Sequence, residues 1–476
     1  MGVVLGLDLG TSYIKAAVVS REGKLLGLGR TRFPVTTPSP GRAEVEIAAF
    51  IDVVVETVSE ALDAARCETA EIVGVSYSSQ ANTFALFDSQ LAPLTPLVVW
   101  TDVRADEHDA QLDAVAQDPE FLTTTGLGAF GKRMTVAKLN WFRRHRAKTW
   151  ERTRYVLSIS DFVAFLLTGQ TAGDSSTASL LGIWDVVNAR YWEKALLALR
   201  LDRSLFATAR RPSTIIGATT HTLATRLGLP ETAVVSAGSL DHAAAAVGAG
   251  IGRLADASES TGTVLAALGL IDHFGVETGM STGPFAVDGL FYKLAFNDDG
   301  AGPLEAYQKA FAPGLTLAEL GDLAASVPPG ANGATGTLDL EEIGDSPSRN
   351  LNRAYDHGTV VRAIMEQVAF SLDGLVRSAL DGRKPRAIVA TGGGARSDVW
   401  LQIKANVLGC DVIRTDCEEP GAFGAAVYAA VGCGWFGSVF DAQSAWLSET
   451  ARFRPTTDTV EAYRKIRAEI APQNPQ

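Results

Sequence analysis

Cysteine is scarce in this 476-residue sequence, and the few cysteines show no pattern that suggests chemistry. The four are Cys67, Cys410, Cys417 and Cys433. They form no Cys-x-x-Cys pair and are too sparse for a disulfide framework. We therefore expect a protein of the reducing cytoplasm that does not rely on thiol chemistry.

The sequence also lacks an excess of positive charge. Lysine and arginine number 42 against 54 aspartates and glutamates, and the formal net charge is −12. This balance argues against a general attraction to nucleic acid or to an anionic membrane surface. We expect neither as a partner.

No segment is typical of export or of membrane insertion. Asp8 interrupts the first apolar run and no cationic region precedes that run, so a signal peptide is not expected. Residues 421–440 carry no charged side chain but contain five glycines. This composition favours a buried helix followed by a turn over a transmembrane helix.

Several motifs of known chemistry are missing. No Gly-x-x-x-x-Gly-Lys-Ser/Thr sequence occurs, which excludes a P-loop nucleotide site. The six histidines show no metal-ligand spacing. Residues 126–131 match Gly-x-Gly-x-x-Gly, but they follow three threonines rather than an apolar strand. We interpret them as a loop, which disfavours a dinucleotide-dependent oxidoreductase.

What the sequence does contain is an alternation of apolar strands and helices. Residues 3–8 and 13–19 predict two buried strands joined by a Gly-Thr turn, and residues 257–267 repeat the pattern. The length and the repeat together predict two related α/β domains. We place them at residues 1–252 and 253–476.

The first turn carries residue types that suit phosphate and a metal ion. Gly10 lets the backbone approach a phosphate closely, and the turn leaves the hydroxyls of Thr11 and Ser12 free to bond its oxygens. Lys15 adds positive charge. Asp8 ends the strand and offers the hard oxygen ligands that Mg²⁺ prefers. An ordinary hairpin with a capping aspartate is the alternative.

A second turn, at residues 260–263, strengthens the hypothesis that the first turn binds phosphate. Two such turns facing each other would hold one polyphosphate from both sides. A glycine triplet, placed between a predicted strand and a predicted helix near Ser397, is a favourable resting place for adenosine or its first phosphate. The nucleotide contacts predicted in this half are Thr261, Gly262, Thr263, Gly392, Gly393, Gly394 and Ser397.

Asp241 stands out among the acidic residues. It follows a predicted strand at residues 233–238 and precedes an alanine-rich helix at residues 243–250. Either a cap for that helix or a carboxylate in a functional cleft fits this position.

Four motifs occur together and in order along the chain. They are Gly6-Leu7-Asp8-Leu9-Gly10-Thr11-Ser12, Leu240-Asp241, Thr261-Gly262-Thr263 and Thr391-Gly392-Gly393-Gly394-Ala395-Arg396-Ser397. With them the chain resembles the FGGY family of carbohydrate kinases. Shorter matches extend the resemblance over nearly the whole chain: Trp100-Thr101-Asp102-Val103-Arg104, Lys138-Leu139-Asn140-Trp141, Leu167-Thr168-Gly169 and Gly421-Ala422-Phe423-Gly424-Ala425-Ala426.

The resemblance implies an α/β fold with two lobes of the actin-like ATPase (ribonuclease H-like) type and an active-site cleft between the lobes. It implies ATP and Mg²⁺ as cofactors, with the sugar or polyol bound mainly by the N-terminal domain and the nucleotide by the C-terminal domain. It makes Asp241 the catalytic base that accepts the proton of the attacking hydroxyl. A homodimer is expected on the same ground.

The acceptor pocket departs from the pattern of the xylulose kinases. Gln80, Ala81 and Asn82 stand where those enzymes typically carry Gln-Met-His. The change alters pocket volume and hydrogen-bond geometry, so the identity of the acceptor stays open. Trp100 is expected to form an apolar wall and Asp102 to accept a substrate hydroxyl; core or supporting positions are the alternatives.

We predict phosphorylation by ATP of a ketopentose such as xylulose or ribulose, or of a related polyol, at a terminal hydroxyl. Glycerol, erythritol and gluconate kinases are the alternatives within the fold. A non-catalytic, nucleotide-gated protein of the actin-like type is the alternative from another class. Asp298 and Asp299 replace a less acidic Asn-Gly-Gly sequence of many relatives, and we expect them to be solvated loop residues.

Overall fold

Strands and helices alternate along the chain in a computed structural model, which describes residues 2–262, 264–335 and 355–470. Up to residue 249 the strands are β1 (Val3–Leu9), β2 (Tyr13–Ser20), β3 (Leu25–Arg32), β4 (Glu44–Val45), β5 (Ile72–Ser79), β6 (Phe84–Phe87), β7 (Leu97–Val98), β8 (Tyr155–Ser158), β9 (Ala172–Asp174), β10 (Trp184–Asp185), β11 (Arg190–Tyr191), β12 (Thr208–Arg210), β13 (Ile215–Ala218), β14 (Val234–Ser236) and β15 (Ser239–Leu240). The helices of this stretch are α1 (Ile47–Ala65), α2 (Ala110–Ala116), α3 (Phe121–Thr125), α4 (Thr135–His145), α5 (Ala147–Arg152), α6 (Ile159–Thr168), α7 (Ser175–Ser179), α8 (Glu193–Leu199), α9 (Thr222–Leu227) and α10 (Asp241–Ala249).

Beyond residue 249 the same alternation continues. The strands are β16 (Ala257–Thr261), β17 (Leu265–Ile271), β18 (Ser281–Pro284), β19 (Phe291–Asn297), β20 (Ala387–Thr391), β21 (Asp411–Thr415) and β22 (Glu449–Phe453). The helices are α11 (Gly302–Phe311), α12 (Leu317–Ala325), α13 (His357–Ala379), α14 (Asp398–Leu408), α15 (Pro420–Gly432), α16 (Val439–Trp446) and α17 (Thr457–Ile470).

The chain forms two compact units, each discontinuous in sequence. The first combines Met1–Gly248, Ile271–Tyr292 and Cys417–Leu447, and the second combines Ala249–Leu270, Lys293–Asp416 and Ser448–Gln476. The sequence predicts a single boundary at residue 252, whereas Ile271–Tyr292 and Cys417–Leu447 also belong to the first compact unit.

A mixed sheet forms the centre of the first unit, with strand order β3-β2-β1-β5-β14-β13. Strand β1 runs antiparallel to β2 and parallel to β5. Strand β5 in turn runs parallel to β14 and to the short β15. The carboxyl ends of β1, β5 and β15 therefore lie at one edge, and the residues that follow these strands are brought close together.

The sheet of the second unit repeats this plan, in the order β19-β17-β16-β20-β21-β22. Strand β16 runs antiparallel to β17 and parallel to β20. Strand β21 continues parallel to β20, and β22 returns antiparallel to β21. The strand order and these four pairing directions match those of the first sheet, so the repeat predicted from the sequence is confirmed and β16–β17 is the counterpart of β1–β2.

Helix α15 packs on β1 because small residues allow close approach. A Cβ atom added at Gly6 would lie 2.1 Å from the carbonyl oxygen of Ala422, and one added at Gly424 would lie 1.9 Å from that of Ala244 on α10. The buried helix predicted within residues 421–440 is confirmed. Within the described ranges, no helix is both long and apolar enough to cross a membrane.

Two carboxyl groups lie in the interior of the first unit, and no cationic side chain in the described part of the chain forms an ion pair with either. Asp161 accepts a hydrogen bond from the backbone N–H of Ser158, and Asp174 accepts bonds from the backbone N–H and hydroxyl of Thr177. Burial outweighs these bonds and raises the pKa of Asp161 to about 6 and that of Asp174 to about 7. Both groups therefore hold their protons to a higher pH in the folded protein than in the unfolded chain.

We predict that Asp174→Asn stabilises the protein at high pH. Because the folded-state pKa of Asp174 is raised from 3.8 to about 7, its favourable contribution is complete below pH 3.8 and is lost as the pH rises through 7. Asparagine carries no charge; its Oδ1 can still accept from the Thr177 N–H, and its Nδ2 can donate to the Thr177 hydroxyl instead of accepting from it. Urea unfolding should show a gain on the order of 2–4 kcal/mol at pH 8 and little gain at pH 4.5. Asp202→Asn, at an exposed capping residue, is the control; a pH-independent effect of Asp174→Asn would contradict the prediction.

Candidate active site

The edge formed by β1, β5 and β15 gathers several predicted site residues. Leu9 pairs with Ser79, and Ser79 pairs with Leu240. The next residues, Gly10, Gln80 and Asp241, therefore follow adjacent strands in register. With strands about 4.8 Å apart, the backbones at Gly10 and Asp241 are separated by roughly two strand spacings, or about 10 Å.

Asp8 is a buried carboxylate just before the turn. Its Oδ1 accepts a hydrogen bond of 2.8 Å from the Ser78 hydroxyl, and its Oδ2 lies 3.9 Å from Lys15 Nζ. Burial raises the pKa of Asp8 to about 6, against the opposing effects of Lys15 and Ser78; the charges of Asp241 and Glu419 also act to raise it. The anionic form of Asp8 would thus gain from a nearby cation.

The surroundings of Asp8 leave room for such a cation. A Cβ atom added at Gly421 would lie 2.8 Å from Asp8 Oδ2, so the missing side chain keeps this side of the carboxylate open. No group of three or more histidines, cysteines or acids within the described ranges is arranged to hold a metal. The site fits Mg²⁺ that takes its remaining ligands from phosphate and water, as is usual for this ion.

Lys15 has a partner that the sequence did not reveal. Its Nζ donates to Glu419 Oε2 at 2.7 Å, across 404 positions of sequence. Glu419 immediately precedes α15, whose packing on β1 places it here. Lys15 is therefore held in place by Glu419 and by the weaker attraction of Asp8.

Trp100 contacts the turn at residues 10–12 through its indole. Its Nε1–H donates to the Thr11 hydroxyl at 2.8 Å, and its backbone N–H donates to the Thr83 hydroxyl at 3.0 Å. The Nζ of Lys138, a residue with no exposed surface, donates to the carbonyl oxygens of Val99 and Trp100. Because burial outweighs the attraction of Asp102, the pKa of Lys138 is lowered to about 7.

The buried side chain of Gln80 bonds to the backbone of the turn at Gly10. Its Nε2 donates to the carbonyl oxygen of Gly10 at 3.1 Å, and its Oε1 accepts from the Thr83 hydroxyl at 2.8 Å. Only 2% of Gln80 is exposed. This geometry fits a residue that positions the turn better than one that binds the acceptor directly.

Both polar atoms of the Asn82 side chain bond to backbone groups of other segments. It adopts a positive φ of 60°, its Oδ1 accepts from the N–H of Thr135 at 2.8 Å, and its Nδ2 donates to the carbonyl oxygen of Leu180. Asn82 thereby ties the start of α4 to the end of β5. Ala81 is half-buried between Gln80 and Asn82.

Asp102 does not fit the predicted role of accepting a substrate hydroxyl. It has no exposed surface, and it accepts hydrogen bonds from the N–H groups of Ala43 and Arg104 and from the Arg104 guanidinium. Burial acts to raise its pKa, but the bonds from Arg104 and Ala43 prevail and hold the pKa below its ordinary value. Its oxygens are occupied, so we interpret Asp102 as a support for the loop that carries Trp100.

Asp241 is the first residue of α10 and is half-buried. Its Oδ1 accepts from the N–H of His242 at 2.8 Å. The two interpretations left open by the sequence are compatible, since a carboxylate can begin a helix and still face the strand edge. The charge of Asp241 acts to raise the pKa of Asp8.

In the second unit, a buried ion pair lies beneath the Thr261 turn. Lys404 Nζ donates to Glu259 Oε1 at 2.6 Å and to the Thr261 hydroxyl at 2.7 Å, and that hydroxyl donates to Glu259 Oε2. The side chains of Lys404 and Glu259 are completely buried. The Thr261 hydroxyl is thus engaged internally, which leaves the backbone of the turn to meet a ligand.

The glycine-rich loop approaches this turn closely. Gly392 has a φ of 75°, and a Cβ atom added at Gly394 would lie 2.8 Å from the Cβ of Thr261. Beside the two segments lies a pocket of about 660 Å³, lined by Gly262, Leu304, Met365, Gly393 and Ser397 among others. Ser397 also caps α14 by accepting from the N–H of Trp400. Thr263 lies outside the described residues.

Two glycine motifs do not form the sites their patterns suggest. Gly126, which begins the Gly-x-Gly-x-x-Gly sequence, ends helix α3 rather than following a strand, as expected for a loop. Residues 279–283 match Gly-x-Ser-x-Gly, but Ser281 begins β18 and no strand leads into it, so a nucleophile elbow is not formed.

Asp298 is exposed and Asp299 accepts from the Ser371 hydroxyl.

Comparison with known proteins supports one family. Residues 3–248 match the N-terminal domain, and residues 294–433 the C-terminal domain, of the FGGY family of carbohydrate kinases. A xylulose kinase of Bacillus subtilis is 26% identical over 98% of this chain and 95% of its own length. An autoinducer-2 kinase of Photorhabdus laumondii is also 26% identical, over 98% of this chain and 92% of its own. The crystal structure of a xylulose kinase from Rhodospirillum rubrum matches with a TM-score of 0.88 and 25% identity, covering 99% of this chain and 98% of that one.

We predict that Lys404→Met destabilises the protein strongly. The substitution leaves the Glu259 carboxylate buried without its cation, a change that typically costs about 3–5 kcal/mol. Adding Glu259→Gln should restore a large part of the loss, because the second substitution removes the unpaired charge. Urea unfolding of the single and double variants measures both values. Equal losses in the two variants would contradict this role of the ion pair.

Proposed function

The chain belongs to the FGGY family of carbohydrate kinases, and we propose that it transfers the terminal phosphoryl group of ATP to a ketopentose such as xylulose or ribulose. The observation that carries the proposal is the strand edge where Asp241, Asp8 and the Gly10 turn meet. The family supports a sugar-phosphorylating kinase, and relatives named xylulose kinase support the narrower acceptor.

In this proposal Asp241 is the catalytic base. Its carboxylate would accept the proton of the attacking hydroxyl, which increases the nucleophilicity of that oxygen as it meets phosphorus. A half-buried position suits this task, because the acceptor must reach the carboxylate while bulk water is largely kept away.

The first turn would hold the phosphoryl group that is transferred. Gly10, Thr11 and Ser12 supply backbone and hydroxyl groups, and Lys15 adds a positive charge that Glu419 keeps in position. Asp8 would hold Mg²⁺ directly or through water. When bound, Mg²⁺ neutralises charge on the phosphate oxygens.

The second unit would bind the nucleotide. Its pocket beside Gly262, Gly393 and Ser397 is large and partly apolar, with Leu304 and Met365 offering surface for a base. Gly392 and Gly394 bring the loop against the Thr261 turn, so backbone N–H groups are the principal groups left to meet phosphate.

An acceptor panel tests the proposal directly. The full chain, with ATP and Mg²⁺, is assayed for ADP release with xylulose, ribulose, glycerol, erythritol and gluconate. We expect the highest kcat/KM with a ketopentose. Preference for one of the other acceptors would reject the ketopentose, whereas ATP binding without ADP release on any acceptor would favour the non-catalytic alternative.

We predict that Asp241→Asn abolishes most phosphoryl transfer. Removing the proton acceptor should lower kcat by roughly 10²- to 10⁴-fold. Nucleotide affinity, measured by ADP titration calorimetry, should remain within about threefold of wild type, because the nucleotide is bound by other residues. Asp202→Asn serves as the matched control. An Asp241→Asn variant with unchanged turnover would eliminate the base assignment.

A further inference from the structure

Trp100 is fixed at each of its polar atoms. The indole Nε1–H is bonded to Thr11, the backbone N–H to Thr83 and the backbone carbonyl to the Lys138 ammonium group. An apolar wall alone requires only the face of the ring. The two backbone bonds hold the residue in place, and the indole N–H bond to Thr11 is a directed contact that an apolar wall does not require.

The indole bond determines what the Thr11 hydroxyl can do. A hydroxyl has one proton to donate and two lone pairs that accept. Because the Trp100 N–H occupies one lone pair, the hydroxyl proton is left to point elsewhere. Within the described ranges, no protein acceptor bonds to this proton, and Thr11 is partly exposed. The proton is therefore available to a ligand oxygen.

A second path joins Trp100 to the same turn. Its backbone N–H donates to Thr83, Thr83 donates to Gln80, and Gln80 donates to the carbonyl oxygen of Gly10. Thr83 has no exposed surface and Gln80 almost none. Any shift of Trp100 would thus disturb the turn at both Gly10 and Thr11.

From these contacts we propose that Trp100 is a positioning residue, whose indole N–H aims the Thr11 hydroxyl at the phosphoryl group in transfer. The inference rests on the proposed function and extends it. An acceptor that packs against the ring would then meet a residue already bonded to the phosphate turn. Acceptor binding and phosphate alignment are then coupled through Trp100, most directly by its indole hydrogen bond to Thr11.

Three variants of the full chain test the proposal. Trp100→Phe keeps an aromatic face and removes the N–H, Thr11→Val removes the hydroxyl, and Thr11→Ser retains it. We expect Trp100→Phe and Thr11→Val each to lower kcat roughly 10- to 100-fold, as removal of one donor to a transition state typically does. The KM of the acceptor should change by less than about threefold, and Thr11→Ser should keep most of the activity.

The double variant Trp100→Phe/Thr11→Val isolates the coupling. If the indole acts through the hydroxyl, the double variant is no slower than Thr11→Val alone, because the two residues act as one unit. Trp184→Phe is the matched control, since the buried Nε1 of Trp184 has no hydrogen-bond partner among the residues described. We expect no loss of kcat in this control.

Several outcomes would overturn the proposal. If Trp100→Phe raises the KM of the acceptor and leaves kcat unchanged, Trp100 serves only as an apolar wall for the acceptor. Multiplicative losses in the double variant, or an equal loss in Trp184→Phe, show that the indole does not act through Thr11. A wild-type chain that binds ATP but phosphorylates no acceptor instead rejects the proposed function itself. Thermal unfolding of each variant verifies that the compared proteins are folded.

Discussion

The parallel pairing of β1 with β5, and of β5 with β15, determines where the candidate active-site residues of the first unit lie. Each strand ends at the same edge of the sheet, so Gly10, Gln80 and Asp241 follow adjacent strands side by side although they are far apart in sequence. The pairing in turn depends on close packing behind the sheet, where Gly6 admits helix α15 against β1. That helix also brings Glu419 to Lys15. One backbone arrangement thus positions the turn, the acids and the cation.

The two repeated units use the same hairpin differently. In the first, the acid before the turn is Asp8, which lies beside open space and whose burial favours a cation. In the second, the acid before the turn is Glu259, and Lys404 already neutralises it inside the protein. The first turn therefore suits a metal-bound phosphate and an oriented hydroxyl, whereas the second presents mainly backbone groups. The same hairpin therefore carries different side-chain chemistry in the two units.

Local pattern was enough to predict both hairpins and the positions of Asp8 and Asp241 relative to the strands. Each of these features is indicated by a short stretch of apolar residues next to turn residues. The partners of the predicted residues were not predictable in the same way: Glu419 is 404 positions from Lys15, and Lys404 is 145 positions from Glu259. For Asp102, the structure favours the supporting position over the hydroxyl acceptor, because the saturation of its oxygens by Arg104 and Ala43 is visible only in three dimensions.

Asp241 is proposed to receive the proton of the attacking hydroxyl at the edge of the first sheet. A crystal structure of the protein with ADP, Mg²⁺ and a ketopentose tests it most directly. The account predicts a terminal hydroxyl of the sugar at about 2.6–3.2 Å from the Asp241 carboxylate. A sugar bound with no hydroxyl within reach of Asp241, directly or through one water, would contradict it.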